Sequence, residues 1–269
     1  MKYYLYNPLA NNGIKAHVPE GDLIDASGLD YPEFFKNLKE DDEVVLIGGD
    51  GTINYLINSI DTSKLTNNVY LYGNGTGNDF LNDINEEPGK EILLNPYLVD
   101  LPTATVNGKK YKYINNMSFG IDGYCCEEAD RIKEKSPNKK INYTAIAIKG
   151  LLYDFKPRYA WVEVDGKTYE FDHCWLAPAM KGRYCGGGMM LAPDQDRMNG
   201  SLTVIVYKSR SKLKSLKNFP LIFEGKHVAL TDMVKVITGK KVHVRFSSPC
   251  AVQIDGETIL NVKEYWAEA

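Results

Sequence analysis

Apolar and polar positions follow two different patterns along this chain. Residues 2–6, Lys-Tyr-Tyr-Leu-Tyr, read as a strand that runs into the polar turn Asn7-Pro8. Asp30 with Glu33 three residues on forms a capping box, which predicts a short helix through Phe34 and Leu38. Residues 43–47 are a short apolar run ending in Gly48-Gly49, as buried parallel strands do. Ile53, Leu56, Ile57 and Ile60 then recur at helical spacing over 52–60. Residues 69–72 form another short strand that ends in a second glycine-rich turn. Strands alternating with helices predict a parallel sheet whose ligands bind beyond its carboxyl ends.

After about residue 97 the pattern turns antiparallel. Asn107-Gly108 and Asp165-Gly166 each sit between alternating apolar and polar runs, the strongest short-range signal for a hairpin. Further strands are predicted at 175–179, 202–207, 234–237, 242–246 and 251–254, with helical insertions near 124–134, 141–155 and 212–223. The expected fold class is therefore α/β. A Rossmann-like parallel α/β domain over 1–97 precedes a mostly antiparallel β-sandwich with helical insertions over 98–269.

Composition narrows the function. The 269 residues are 43% hydrophobic and 11% aromatic, enough for a real core and against disorder. A net charge of -3 gives no global basic field, so nucleic acid is not an expected partner. No apolar run reaches the ~18 residues of a membrane span, and the first residues lack a signal-peptide core. A cytoplasmic protein is expected. The five cysteines show no Cys-x-x-Cys spacing and the four histidines are scattered, so neither disulfides nor a zinc site is predicted.

The candidate chemistry lies in the two glycine turns. Gly48-Gly49-Asp50-Gly51-Thr52 links a strand to a helix, where glycines let backbone N–H groups reach a phosphate and the helix N-terminus adds partial positive charge. Asp50 would repel phosphates unless a cation intervened, which suggests Mg²⁺ or a substrate hydroxyl; the bland alternative is a helix cap. Gly73-Asn74-Gly75-Thr76-Gly77-Asn78-Asp79 follows the next strand, so both loops converge on one crevice. Neither loop is a Walker A motif, and neither fits the dinucleotide fingerprint. A nucleoside triphosphate site of another type is the better reading.

These motifs, in this order, resemble the diacylglycerol kinase catalytic-domain family, which includes bacterial soluble lipid kinases and sphingosine kinases. Asn7-Pro8 with Gly13 resembles the family's first loop, 48–52 its nucleotide motif and 75–80 its second phosphate-side motif. Val99-Asp100-Leu101, the Gly186-Gly187-Gly188-Met189 stretch through Asn199-Gly200, and Asp255-Gly256-Glu257 continue the series. The resemblance implies ATP held by Gly49, Gly51, Thr52, Gly75 and Thr76, with Asn7, Gly48, Asn54 and Asn78 beside it. It implies Mg²⁺ organised by Asp50, Asp79 and Asp100, and Glu257 as general base toward a diacylglycerol-like alcohol. Taken alone, Glu257 would be an exposed acid after a hairpin turn.

The chain departs from the family at Tyr55, where relatives usually carry Glu, and at Leu81-Asn82. Its first loop is longer, so Lys15 is only a weak phosphate-side candidate. Asn199 stands where many relatives have a metal-binding Asp, so any second metal site there would be weak. Lys208, Arg210, Lys212, Lys214 and Lys217, interleaved with Leu213 and Leu216, form either a surface for anionic lipid or a solvated helix face. Gly186 to Met190 is either an acyl-chain cleft or a bulged strand. The expected partner is a lipid alcohol at the inner membrane face, and a homodimer is left open. Two rival readings are an NAD kinase-like enzyme acting on a soluble nucleotide and a non-catalytic nucleotide-binding regulator.

Overall fold

The computed structural model describes residues 1–8, 22–75, 77–136, 139 and 141–269. Gly13, Lys15 and Thr76 lie outside the described residues.

The first sheet holds β1 (Lys2–Tyr6), β2 (Asp22–Asp25), β3 (Glu43–Gly48), β4 (Asn68–Gly73) and β5 (Glu91–Leu93). Their order is β2-β1-β3-β4-β5, with β1 to β4 parallel and β5 added antiparallel at the edge. The strand order reverses between β1 and β3, the place where open α/β sheets form a ligand crevice. The register pairs Tyr6 with Ile47 and Gly48 with Gly73, so the three strand ends lie nearly flush. The helices of this part are α1 (Tyr31–Lys36), α2 (Asp50–Ser59) and α3 (Asp79–Asp83). Asp30 caps α1 by accepting from Glu33 N, as the capping box predicts. The helical stripe of α2 holds: Ile53, Leu56 and Ile57 are buried against Val44, Leu46 and Leu71 of the sheet. Each such side chain contributes about 1.5–3 kcal/mol.

The second part contains β6 (Thr103–Val106), β7 (Lys109–Lys112), β8 (Asn116–Phe119), β9 (Arg158–Val164), β10 (Lys167–Leu176), β11 (Ala179–Met180), β12 (Tyr184–Cys185), β13 (Met189–Met190), β14 (Leu202–Lys208), β15 (Val234–Gly239), β16 (Lys241–Ile254) and β17 (Glu257–Glu268). Helices α4 (Ile121–Lys135), α5 (Tyr143–Lys149) and α6 (Lys212–Asn218) are the insertions. A π-helical turn over Gly150–Asp154 continues α5, and a 3₁₀ turn over Phe219–Ile222 continues α6.

Apart from the short β12–β13 hairpin, the strands form one antiparallel sheet that folds on itself. Hydrogen bonds run from β16 through β8, β11, β14, β10 and β9 back to β16. The sequence pattern predicts two strands here, at 242–246 and 251–254. The structure carries one strand through, with a register shift between Arg245 and Cys250. Its first half pairs with β9 and its second with β8, so β16 bends from one layer to the other. A proline is tolerated at such an irregularity because no ladder bond needs its missing N–H. The expected strand at 175–179 is split between β10 and β11, with Pro178 in the gap. Phe119 stacks on Phe246 at 4.3 Å between the layers, with Tyr265 alongside.

The parallel and antiparallel parts are joined through α3. Asp83, at its end, is buried and accepts from Arg183 N at 3.0 Å and Arg183 Nε at 2.8 Å. Arg197 Nε bonds the other oxygen of Asp83. The Arg197 guanidinium also donates to Ile114 O and Asn115 Oδ1, and lies over the Phe80 ring. Removing one member of such a buried charge network leaves the rest uncompensated. Asp83→Ala is therefore expected to lower unfolding free energy by about 3–5 kcal/mol. Urea unfolding of the full chain measures this, and a loss under about 1 kcal/mol would count against a structural role for the pair.

Candidate active site

The two glycine loops lie against each other at the carboxyl edge of the parallel sheet. Asn74 N and Gly75 N both donate to Gly48 O, and Asp50 N donates to Gly77 O at 3.1 Å. A Cβ on Gly49 would lie 2.2 Å from Gly77 O, and one on Gly75 would lie 2.7 Å from Gly49 N. Glycine is required at both positions because the backbones touch. At Gly51, in the first turn of α2, a Cβ would meet no atom of the described residues within 4 Å. Thr52 folds its hydroxyl back over Gly48, where a Cβ would lie 1.9 Å from Oγ1. Asn7 follows β1 at the same edge. Asn78 donates to Gly75 O at 3.3 Å while its own Oδ1 is buried without a partner. A helix N-terminus, small residues and an orphaned acceptor fit a phosphate-bearing ligand with hydroxyl donors.

Both loop aspartates bond backbone amides. Asp50 is the first residue of α2 yet caps α3 instead: its Oδ2 accepts from Asp79 N at 2.8 Å and its Oδ1 from Phe80 N at 3.0 Å. Asp79 reaches across to the second part, where Gly187 N and Gly188 N donate to its two oxygens at 3.0 and 2.7 Å. Gly187 and Gly188 have φ of 83° and 101°, which aligns their amides on one carboxylate. These two glycines form the tip of the β12–β13 hairpin. Burial pushes the Asp50 carboxyl up against the pull of those amides. Burial and the Asp50 charge push Asp79 up to about 7.

The Asp255-Gly256 turn is a second knot between the parts. Asp255 and Gly256 have φ of 46° and 93°, a two-residue turn that pairs Ile254 with Glu257. Asp255 accepts from Ile114 N, Asn115 N and Asn116 N, and from Asn54 Nδ2 at 3.1 Å. Burial raises its pKa to about 6 despite these four donors. Asn54 therefore directs its amide to this turn. Glu257, the next residue after the turn, is exposed at the start of β17, and its charge is felt by Tyr143 on α5. Asp100 is also exposed, and its charge acts on the buried Lys181, whose ammonium burial pushes down.

Asn199 lies in an exposed turn, where its Oδ1 accepts from Ser201 N and Ser201 Oγ. Among the described residues no group of three or more His, Cys, Asp or Glu side chains could hold a metal ion. Mg²⁺ needs only one or two carboxylates when phosphates and water complete its shell; here both oxygens of Asp50 and of Asp79 already accept backbone amides, and Asp100 is exposed.

An apolar cavity of about 60 Å³ lies beneath this junction, between the β10/β14 face and the helices. Trp175, Leu176 and Tyr207 form its floor, Cys185 and Met189 of the β12–β13 hairpin one wall, and α4, α5 and α6 the rest. Asp122, on the first turn of α4, is its one carboxylate; Gln253 Nε2 donates to it at 2.8 Å, and burial pushes it up. Sequence reasoning did not pick out Asp122, although an acid two residues after Gly120 at a helix start was a usable signal. Asp83, Arg183 and Arg197 gave none, because their pairing spans about a hundred residues.

Two family models match this chain. The diacylglycerol kinase catalytic domain covers residues 15–95, and the YegS C-terminal NAD kinase beta sandwich-like domain covers residues 115–264. A Staphylococcus aureus (strain bovine RF122 / ET3-1) protein named "Putative lipid kinase SAB0675c" is 25% identical over 236 residues, 84% of this chain and 74% of its own. "Putative lipid kinase SAS0691" of strain MSSA476 is 26% identical over 239 residues, with the same coverage of 84% and 74%. A crystal structure from Bacillus anthracis str. Sterne, described as a diacylglycerol kinase, superposes with a TM-score of 0.68 at 20% identity. It covers 99% of this chain and 93% of that one, and shows the same fold.

The raised pKa of Asp79 has a definite sign. The folded state holds that proton more tightly than the unfolded chain, whose carboxyl titrates near 3.8. Its contribution to stability is complete in acid and is lost as pH rises toward about 7. Asp79→Asn gives up one amide acceptor but cannot ionise. The urea midpoint of Asp79→Asn relative to wild type is expected to improve steadily across that interval. A difference that stays constant with pH would mean the carboxyl is ionised throughout.

Proposed function

The chain belongs to the family defined by the diacylglycerol kinase catalytic domain and the YegS C-terminal NAD kinase beta sandwich-like domain, and from that membership we propose that it is an ATP- and Mg²⁺-dependent lipid kinase. The acceptor is the hydroxyl of a diacylglycerol-like lipid. One observation carries this choice. The β12–β13 hairpin presents Gly187 and Gly188 to Asp79 of the second glycine loop, while Cys185 and Met189 of the same hairpin line the apolar cavity. A soluble nucleotide acceptor has no use for a wall so poor in polar groups, whereas an alkyl chain does.

In this reading the α2 N-terminus and the backbone of both glycine loops hold the triphosphate, with Thr52 and Asn78 as side-chain partners. Mg²⁺ supplies charge neutralisation on the phosphates, and Asp79 and Asp100 are the residues that would orient its water shell. The cavity, once its helical roof parts, takes the lipid tail and leaves the hydroxyl at the junction. Glu257 accepts the proton of that hydroxyl as its oxygen bonds the γ-phosphorus and the bond to the bridging oxygen of ADP breaks. Glu257 is exposed and has no ion-pair partner among the described residues, so its carboxyl oxygens are open to an acceptor hydroxyl. The setting is a protein with no helix among the described residues long and apolar enough to cross a membrane. We place it in the cytoplasm, meeting lipid at the inner membrane face.

Glu257→Gln is expected to reduce γ-phosphate transfer from labelled ATP to a mixed lipid extract by about 10²–10⁴-fold, with ATP binding retained. Turnover near the wild-type level would remove Glu257 from the role of base. Ala147→Trp fills the cavity from α5 and is expected to abolish labelling of long-chain lipids while leaving ATP binding intact. Labelling of NAD in place of lipid would favour the soluble-nucleotide alternative.

A further inference from the structure

The roof of the apolar cavity has two unlike faces. Ala147 and Leu151, from α5 and the π turn, and Ser215 and Phe219, from α6 and its 3₁₀ turn, face inward. The outer side of the same segments carries Tyr153 at 74% exposure and Leu213 at 75%, among the most exposed large apolar side chains in the described chain. Lys212 Nζ donates to Leu152 O at 2.8 Å, so Tyr153 and Leu213 stand next to the two ends of the bond that closes the seam between the segments.

Charge on this face runs against that of the whole chain. Lys149, Lys156, Lys212, Lys214 and Lys217 lie on or beside these segments; opposing them are Asp154, paired with Lys149, Asp232, paired with Lys214, and Glu128 of α4, whose charge reaches Lys149. The protein as a whole carries -3. The basic run seen in the sequence divides here. Arg210 pairs with Asp172 and Lys208 lies over Phe171 on the sheet, while on α6 Lys212 is half-buried at the seam, Lys214 is exposed and pairs with Asp232, and Lys217 is exposed.

The seam must also open. A cavity of about 150 Å³ in another protein is enough for benzene, so about 60 Å³ does not admit an alkyl chain in this closed arrangement. A π turn within the roof is the kind of irregularity found where helices give way at functional sites.

We propose that this face docks on an anionic lipid bilayer, with Tyr153 and Leu213 entering the interface, the lysines meeting headgroup phosphates, and the seam parting above the cavity. The purpose of the surface rests on the lipid-kinase reading, but its measurement does not. Co-sedimentation of the full chain with phosphatidylcholine vesicles, with and without phosphatidylglycerol, tests it. Wild type is expected to bind the anionic vesicles more tightly, and less so at high salt. Tyr153→Ser with Leu213→Ser is expected to weaken that binding by roughly tenfold or more. Lys156→Gln with Lys217→Gln is expected to weaken it by about fivefold per lysine on anionic vesicles only. Circular dichroism confirms that these exposed-site variants fold.

Wild type that ignores anionic vesicles overturns the proposal, as does binding that neither pair of substitutions changes. A Tyr153→Ser, Leu213→Ser protein altered only in oligomeric state, with vesicle binding intact, assigns the face to a second copy of the chain and also overturns it. Phosphate transfer to lipid in detergent micelles separates the two readings. Docking that responds to these substitutions, with no transfer to any lipid, supports the docking face and removes the kinase.

Discussion

The whole arrangement depends on how a helix of five residues is held. At its N-terminus α3 donates two hydrogen bonds to the Asp50 carboxylate, its first residue binds the β12–β13 hairpin, and its last pairs with Arg183 and Arg197. A helix this short has no stability of its own, because nucleation costs more than its few backbone bonds return. Tertiary partners at both ends must hold it. In doing so they fix the second glycine loop, which lies immediately before it. The same bonds tie the parallel sheet to the antiparallel one, so the loops and the cavity share one anchor.

That anchoring shapes the electrostatics of the junction. Asp50, Asp79 and Asp255 are buried, and each is driven toward the neutral form by desolvation while backbone amides pull it back. The amides come from the turns that must be placed: 79–80 for Asp50, 187–188 for Asp79, and 114–116 for Asp255. Carboxylates here act first as acceptors that set loop geometry. A cation brought by a nucleotide would then meet carboxylates already oriented, at the cost of keeping three acids out of water, two of them, Asp50 and Asp79, within reach of each other's charge.

The parts of this plan that could be read from the sequence are the local ones. A glycine turn after an apolar run, a helical stripe at 53–60 and an Asp-Gly hairpin each carry their geometry within ten residues, and all three are present. The register of Gly48 beside Gly73 follows from strands of similar length in a parallel sheet. What could not be read depends on distant partners. Nothing near Asp83 announces Arg197, and nothing near Asp79 announces the amides of Gly187 and Gly188. The stretch 242–254 misled for the opposite reason: it reads as two strands, yet β16 runs through Pro249 as one and uses the irregularity there to change layers. Asp50 shows both limits together. It does cap a helix, one of the two readings its local sequence offers, but the helix is the one after the next strand.

The hairpin 184–190 is where substrate chemistry and architecture meet. One residue of it, Met189, faces the cavity, and the next turn residue back, Gly188, donates to Asp79. Anything that enters the cavity and displaces Met189 therefore works on a hairpin whose tip is bonded to the second glycine loop. Two amide–carboxylate bonds are strong enough to transmit that displacement and weak enough to be remade, at about 1.5–3 kcal/mol each. Occupancy of an apolar pocket and the shape of a phosphate-binding loop would then be coupled through a single short element. A kinase that must avoid transferring phosphate to water would gain from such coupling, because an acceptor chain in the cavity and the second glycine loop would then respond to one another.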